Sequence, residues 1–147
     1  MACNAAQRLK HLTDIFPAKL LALSNDDLTR QPAPGKWSRK QIIGHLIDSA
    51  TNNHHRFIRT QYEEVPFISY DQNKWNSLSH YQDMNSVQLI NFWAAYNLHL
   101  VAVISHIPES NLNKLCNSGD ETNHTLQWLI DDYVKHLEHH LKQIIDY

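Results

Sequence analysis

The stretch Asp131-Asp-Tyr-Val-Lys-His136-Leu-Glu-His-His140-Leu-Lys-Gln143, near the end of the chain, carries two histidines four residues apart. Its apolar residues and these histidines recur at offsets of three and four, which predicts a helix. On such a helix, His136 and His140 stack one turn apart on a single face. Two neutral imidazoles in this arrangement can bind one divalent metal ion.

The pair alone is weak evidence for a metal site, because the chain has 11 histidines in 147 residues. Chance then gives roughly one His pair at this spacing. The stretch also differs from the His-Glu-x-x-His motif of zinc peptidases, since Leu137 follows the first histidine. Glu138 lies about 200° round the helix from His136, so we expect it in solvent. A metal site therefore needs a third ligand from another helix.

The composition predicts an all-α protein with one domain over residues 1–147. Hydrophobic residues make up 42% of the chain and include four Trp, which is typical of a globular protein with a packed core. Only three glycines occur, and neither Asn-Gly nor Asp-Gly is present to form a tight β-hairpin.

Charge and hydropathy exclude several classes of function. The net charge is −2 and lysine and arginine do not cluster, which argues against a nucleic-acid partner. We find no run of about 18 apolar residues, so no membrane span is expected. The N-terminus has no signal-peptide features, and Cys3 and Cys116 are expected to be free thiols. These features favour the cytoplasm.

Hydrophobic periodicity predicts four amphipathic helices, near residues 5–24, 38–60, 86–107 and 125–145. Pro17 falls inside the first helix and is expected to kink or split it. Capping boxes, Ser38-x-x-Gln41 and Asn85-x-x-Gln88, mark the starts of the second and third helices. Four helices of this kind favour a four-helix bundle.

Residues 61–83 show no sustained period and are expected to form a long loop between the second and third helices. Loops of this length are commonly lids or binding segments. The segment contains four aromatic residues that are costly to expose, so it is expected to fold back over the bundle. They are Phe67, Tyr70, Trp75 and Tyr81.

His45 is the leading candidate for the third ligand. It lies in mid-helix beside the apolar stripe of the second helix, where an imidazole faces the core edge. The alternatives remain open on position alone, because other histidines lie on the second and third helices: His54, His55, His99 and His106.

Two blocks of sequence resemble a known family. Trp37-Ser38-x-x-Gln-Ile-Ile-Gly-His45-Leu-Ile-Asp48, followed by Asn52-Asn53-His-His-Arg56-Phe57, is similar to the second helix of the DinB/YfiT-like superfamily. His136-x-x-x-His140-x-x-Gln143-Ile144 is similar to its fourth helix. The resemblance implies an up-down-down-up bundle and one divalent metal ion held by His45, His136 and His140. Zinc is the preferred ion, with nickel, iron or manganese as alternatives.

The resemblance also implies a function. Three histidines without a fourth protein ligand leave a coordination position open, as in catalytic sites. We therefore expect an enzyme that acts on a small molecule, either a hydrolase or an S-transferase that uses a low-molecular-weight thiol. The alternative is a non-catalytic, stress-linked metal-binding module. A homodimer is expected from the family tendency and from surplus aromatics, since Trp93 and Trp128 do not both fit one small core.

Positions on the predicted helices indicate which residues lie near the metal. No catalytic side chain is predicted. Asp48 and Asp132 each lie one turn from a ligand histidine and could orient an imidazole, or equally form surface ion pairs. Arg56 could bind a substrate anion or form a salt bridge. The expected pocket wall consists of Asn52, Arg56, Tyr70, Trp75 and Asn97.

Overall fold

The computed structural model describes residues 2–145, which form a bundle of four long helices. In chain order, the helices are α1 (Ala2–Leu21), α2 (Asn25–Thr29), α3 (Arg39–Tyr62), α4 (Gln72–Ser79), α5 (Ser86–Ser105) and α6 (Leu126–Ile144). Short 3-10 turns cover Tyr81–Asp83 and Glu109–Asn111, and two-residue strands, β1 (Leu115–Cys116) and β2 (His124–Thr125), pair antiparallel. The prediction of an all-α four-helix bundle is confirmed.

Side-chain caps fix where the long helices begin. Ser38 Oγ accepts the Gln41 N–H at 3.1 Å, and Gln41 Oε1 accepts the Ser38 N–H at 2.9 Å, which completes the predicted capping box of α3. Asn85 caps α5 and Thr125 caps α6 by the same kind of bond to the third residue beyond. The start of α3 is thereby held in place close to His45.

The four long helices enclose one hydrophobic core. Helix α1 packs against α5 and α6, and α3 packs against the same two helices, so that α1 and α3 lie on a diagonal. The largest fully buried side chains come from all four helices: Leu9, Phe16, Phe57, Trp93, Leu100 and Leu126.

Contacts between helix ends give the direction of each helix. Lys40, at the start of α3, donates to the Met84 carbonyl just before α5, so α3 and α5 run parallel. Arg39 donates to the Ile144 carbonyl at the end of α6 at 3.1 Å, so α3 and α6 run antiparallel. A cavity joins Leu20 of α1 to Val87 of α5, which makes that pair antiparallel too. The order is therefore up-down-down-up.

The first half of the chain differs from its sequence prediction in two places. Pro17 does not split α1 into two helices, since the helix continues to Leu21. Residues 61–83 are more ordered than expected, because α4 lies within them. Only Asn76 of α4 is buried, so this helix has no apolar stripe from which the sequence could predict it. Its start is fixed by Asp71, whose side chain accepts the Lys74 N–H.

Within the described residues, α5 is the one helix long and apolar enough to cross a membrane by length and composition alone. An 18-residue window of this 20-residue helix has a mean hydropathy of 1.4, and 33% of that window is buried. In the bundle, Trp93, Leu100 and Ile104 of α5 pack into the core. The helix thus serves as one wall of the bundle.

Candidate metal centre

Three histidines from two helices meet near one end of the bundle. Candidate ligand nitrogens of His45, His136 and His140 all lie within 4.8 Å of one another. The ring centroid of His45 lies 5.3 Å from that of His136 and 4.7 Å from that of His140. The antiparallel packing of α3 and α6 brings them together, because His45 lies near the start of α3 and the other two near the end of α6.

The nitrogens of the α6 pair point at a common position. His136 Nε2 and His140 Nε2 are 3.0 Å apart. Two nitrogens bound to one tetrahedral zinc at about 2.1 Å would be about 3.4 Å apart, so the pair needs only a small adjustment. Gln143 Oε1 lies 2.9 Å from His140 Nδ1 and can accept its N–H, which directs the other nitrogen toward the cluster.

His45 is the strongest indication that an ion belongs here. Its side chain is 1% exposed, and neither ring nitrogen has a hydrogen-bond partner among residues 2–145. A buried polar group without a partner costs a few kcal/mol, of order 1–3. A divalent ion would bond to one of these nitrogens, so the three residues fit the metal that the sequence suggests.

The electrostatics keep the three imidazoles in their metal-binding form. Burial, with the nearby histidines, lowers the pKa of His45 to about 3 and that of His136 to about 4. Burial also lowers the pKa of His140. All three rings are therefore neutral at neutral pH, as metal ligands must be.

Gly44 lets the 3-10 turn approach the centre. A Cβ atom at Gly44 would lie 2.1 Å from the Tyr81 ring, so only glycine leaves room for this tyrosine against α3. The Tyr81 hydroxyl donates to Asp48 Oδ1, while Asp48 Oδ2 is buried without a partner within the described chain. Asp48 thus bonds to Tyr81 and forms no hydrogen bond to His45, in contrast to the predicted orienting role.

An open cavity of about 530 Å³ borders the centre at His140. The connector between α2 and α3, the start of α4 and the end of α6 form its wall. Its lining residues are Pro32, Gly35, Lys36, Trp37, Ile42, Gln72, Asn73, His140 and Gln143. Trp37 also packs beside the centre, with its ring centroid 5.0 Å from that of His45.

The predicted pocket wall does not line this cavity. Arg56 donates to the Ile68 carbonyl at 3.1 and 2.9 Å, which holds the segment after α3 against the bundle. Tyr70 packs its ring near that guanidinium and edge-on against Trp75 at 5.8 Å. Asn52 is buried and donates to the Asp48 carbonyl.

Two further predicted residues lie away from the centre. Asn97 is fully buried and accepts a hydrogen bond from the Tyr133 hydroxyl inside the core. Asp132 is exposed and, within residues 2–145, forms no hydrogen bond to an imidazole. Glu138, expected in solvent, instead pairs with Arg8 of α1.

Sequence reasoning missed most of the actual wall. Lys36, Gln72 and Asn73 lie in segments without periodicity, so no pattern predicts where they pack. The sequence identifies Trp37 only as the residue before a helix cap and Gln143 only as part of the α6 motif, so neither is predicted to line the cavity.

Comparison with protein families identifies the family to which this chain belongs. Residues 8–144 match the DinB superfamily. The chain belongs to the DinB superfamily. The matched range includes His45, His136 and His140 and both capping residues of α3.

Curated relatives of this DinB-superfamily chain carry a metal-related name. A "Putative metal-dependent hydrolase" of Bacillus licheniformis is 24% identical over 140 residues, covering 92% of this chain and 78% of the relative. A protein of the same name from Geobacillus thermodenitrificans is 22% identical over 142 residues, covering 93% of this chain and 78% of the relative.

A solved structure shares the fold. Bacillus subtilis YfiT, described as "a probable metal-dependent hydrolase with an unusual four-helix bundle topology", superposes with a TM-score of 0.87 at 21% identity. The alignment covers 97% of this chain and 83% of YfiT. At this identity the likeness establishes the up-down-down-up DinB fold and nothing about the substrate.

Proposed function

We propose that this protein is a metal-dependent hydrolase of a small molecule, with His45, His136 and His140 holding one divalent ion, zinc by preference. The observation that carries the proposal is the buried, unpartnered imidazole of His45 beside two others at the edge of an open cavity. The names of the curated relatives support the same class of reaction.

The ion would supply Lewis-acid activation of a water molecule or of a substrate thiol. The protein's own residues would bind and orient the substrate. Trp37 offers an apolar wall beside His45, and Gln72 and Asn73 bring side-chain amides to the same cavity. Gln143 Oε1 can accept the Nδ1–H of His140, which favours the tautomer whose Nε2 carries no proton and can bind the ion.

The test uses protein purified without a histidine tag and made metal-free with a chelator. We expect a panel of small esters and amides to be hydrolysed by the zinc-loaded protein, and neither by metal-free protein nor by His140→Ala. Consumption of an electrophile only when a low-molecular-weight thiol is present would assign the S-transferase reaction instead. Tight zinc binding without turnover in either assay would contradict an enzyme and favour the binding module.

We also propose that the protein acts in the cytoplasm. Cys3 and Cys116 are free thiols, as a reducing compartment keeps them. Fractionation of cells that produce the protein checks this placement, and recovery outside the cytoplasm would contradict it.

A further inference from the structure

A second group of histidines lies on the opposite side of α3, away from the three-histidine centre. His54 of α3 and His99 of α5 face each other with ring centroids 5.3 Å apart and planes at 73°. The three pairs in the metal centre have centroids 4.4 to 5.3 Å apart and planes at 75° to 80°. The ring separation of the His54–His99 pair therefore equals the largest of these three separations, and its interplanar angle lies just below their range.

Tyr96 fixes the orientation of one ring. Its hydroxyl lies 2.9 Å from His54 Nδ1, so this nitrogen is engaged and Nε2 remains for another partner. Gln143 engages Nδ1 of His140 in the same way. A partner on the second nitrogen is the usual way in which proteins orient a metal-ligating histidine.

The surroundings suit an ion that keeps solvent ligands. His54 is half-buried and His99 is exposed. An open groove of about 350 Å³ runs beside His54, lined also by Thr51, Ile58 and Tyr62. Burial, with His99 and His55 nearby, lowers the pKa of His54, so its ring is neutral at neutral pH. Arg59, the charged residue of this groove, is paired with Glu63 at 2.5 Å.

We propose that His54 and His99 form a second, accessory site for a divalent metal ion on the α3–α5 face. Two imidazoles with solvent completing the coordination favour copper, nickel or zinc over magnesium or calcium. Because the ligands come from two parallel helices, a bound ion joins α3 to α5 and stabilises the folded state. His45 and His54 are nine residues apart on α3, about 14 Å along its axis, so the two sites bind separately.

Copper(II) titration of tag-free, metal-free protein tests this site, with the bound ion counted by equilibrium dialysis. We expect two equivalents in the native protein and one in His99→Ala. The retained equivalent should disappear when His140→Ala is added. The matched controls are His55→Ala, an exposed neighbour of His54, and His106→Ala, an exposed residue directly after α5. Both variants should keep two equivalents.

The electron paramagnetic resonance spectrum and the melting temperature give readouts independent of activity. The equivalent lost in His99→Ala should have a spectrum of two nitrogen ligands, and its binding should raise the melting temperature of native protein above that of His99→Ala. His99 is exposed, so its replacement leaves the core intact. Two equivalents in His99→Ala, or an equal loss in His55→Ala, would overturn the proposal. Failure here leaves the hydrolase proposal untouched, because His140→Ala tests that separately.

Discussion

At the scale of single residues, the face of α6 decides which histidines can bind an ion. His140 points to His45 and His136, whereas His139 lies about 100° round the helix and is exposed. We expect His140→Ala to weaken zinc binding by more than about 100-fold, since even partners of ligands contribute 10- to 100-fold. His139→Ala should bind nearly as the native protein does. Isothermal titration measures both, and the reverse order would place the ion on another face.

Asp48 gives a prediction about pH at the same scale. Burial raises its pKa to about 6, against an opposing effect of the Tyr81 hydrogen bond. Because the folded state favours the protonated carboxyl, Asp48 contributes its full stabilisation below the unfolded-state pKa near 3.8. This stabilisation is lost as pH rises through the folded-state pKa of about 6. In metal-free protein, Asp48→Asn should therefore gain stability relative to native protein by about 1 kcal/mol between pH 5 and pH 7.5. Urea unfolding at both values measures this, and a constant difference would contradict it.

At the scale of elements, the contact between α3 and the 3-10 turn at Tyr81–Asp83 depends on Gly44. Gly44→Ala would place a Cβ atom 2.1 Å from the Tyr81 ring, which must then move. Overpacking of this kind lowers the free energy of unfolding by about 1–3 kcal/mol. Alanine in place of glycine raises it by up to about 1 kcal/mol, because alanine has the higher helix propensity. We expect net destabilisation in native protein and net stabilisation when Tyr81→Ala is also present. Urea unfolding of the four proteins tests this, and equal effects in both backgrounds would contradict it.

Elements also show how far the sequence predicts the structure. Helices α3, α5 and α6 could be located because their caps and apolar stripes agree. Helix α4 could not, since it packs one polar residue, Asn76, and has no stripe. The same reason limits how much of the site the sequence predicts. Helical spacing locates His136 and His140, but the cavity wall depends on how residues 32–37 and α4 pack, and no periodic pattern predicts that packing.

At the scale of the whole molecule, the homodimer expected from sequence stays a prediction. Trp93 is fully buried, and Trp128 is 43% exposed and stacks on His124, so the two tryptophans do not share the core. We propose that a second copy packs on α5, whose 20 residues include no charged side chain and expose Val87 and Leu98. Under two-fold symmetry this face meets its copy without like charges opposed. Leu98 lies about 100° from His99, which remains open.

Light scattering tests the dimer at micromolar concentration. We expect twice the mass of one chain for native protein and a single-chain mass for Leu98→Glu. The control is Leu78→Glu, which changes a leucine that is 76% exposed on α4 and should leave the dimer intact. A single-chain mass for native protein would contradict the proposal.

We propose that three imidazoles hold one divalent ion and leave one coordination position open beside the cavity. X-ray absorption of tag-free protein loaded with one equivalent of zinc measures this most directly, because it counts the ligands and their distances. We predict three imidazole nitrogens at about 2.0–2.1 Å and at least one light ligand from solvent. Two imidazoles, or a coordination shell filled by four protein ligands, would contradict this three-histidine open site.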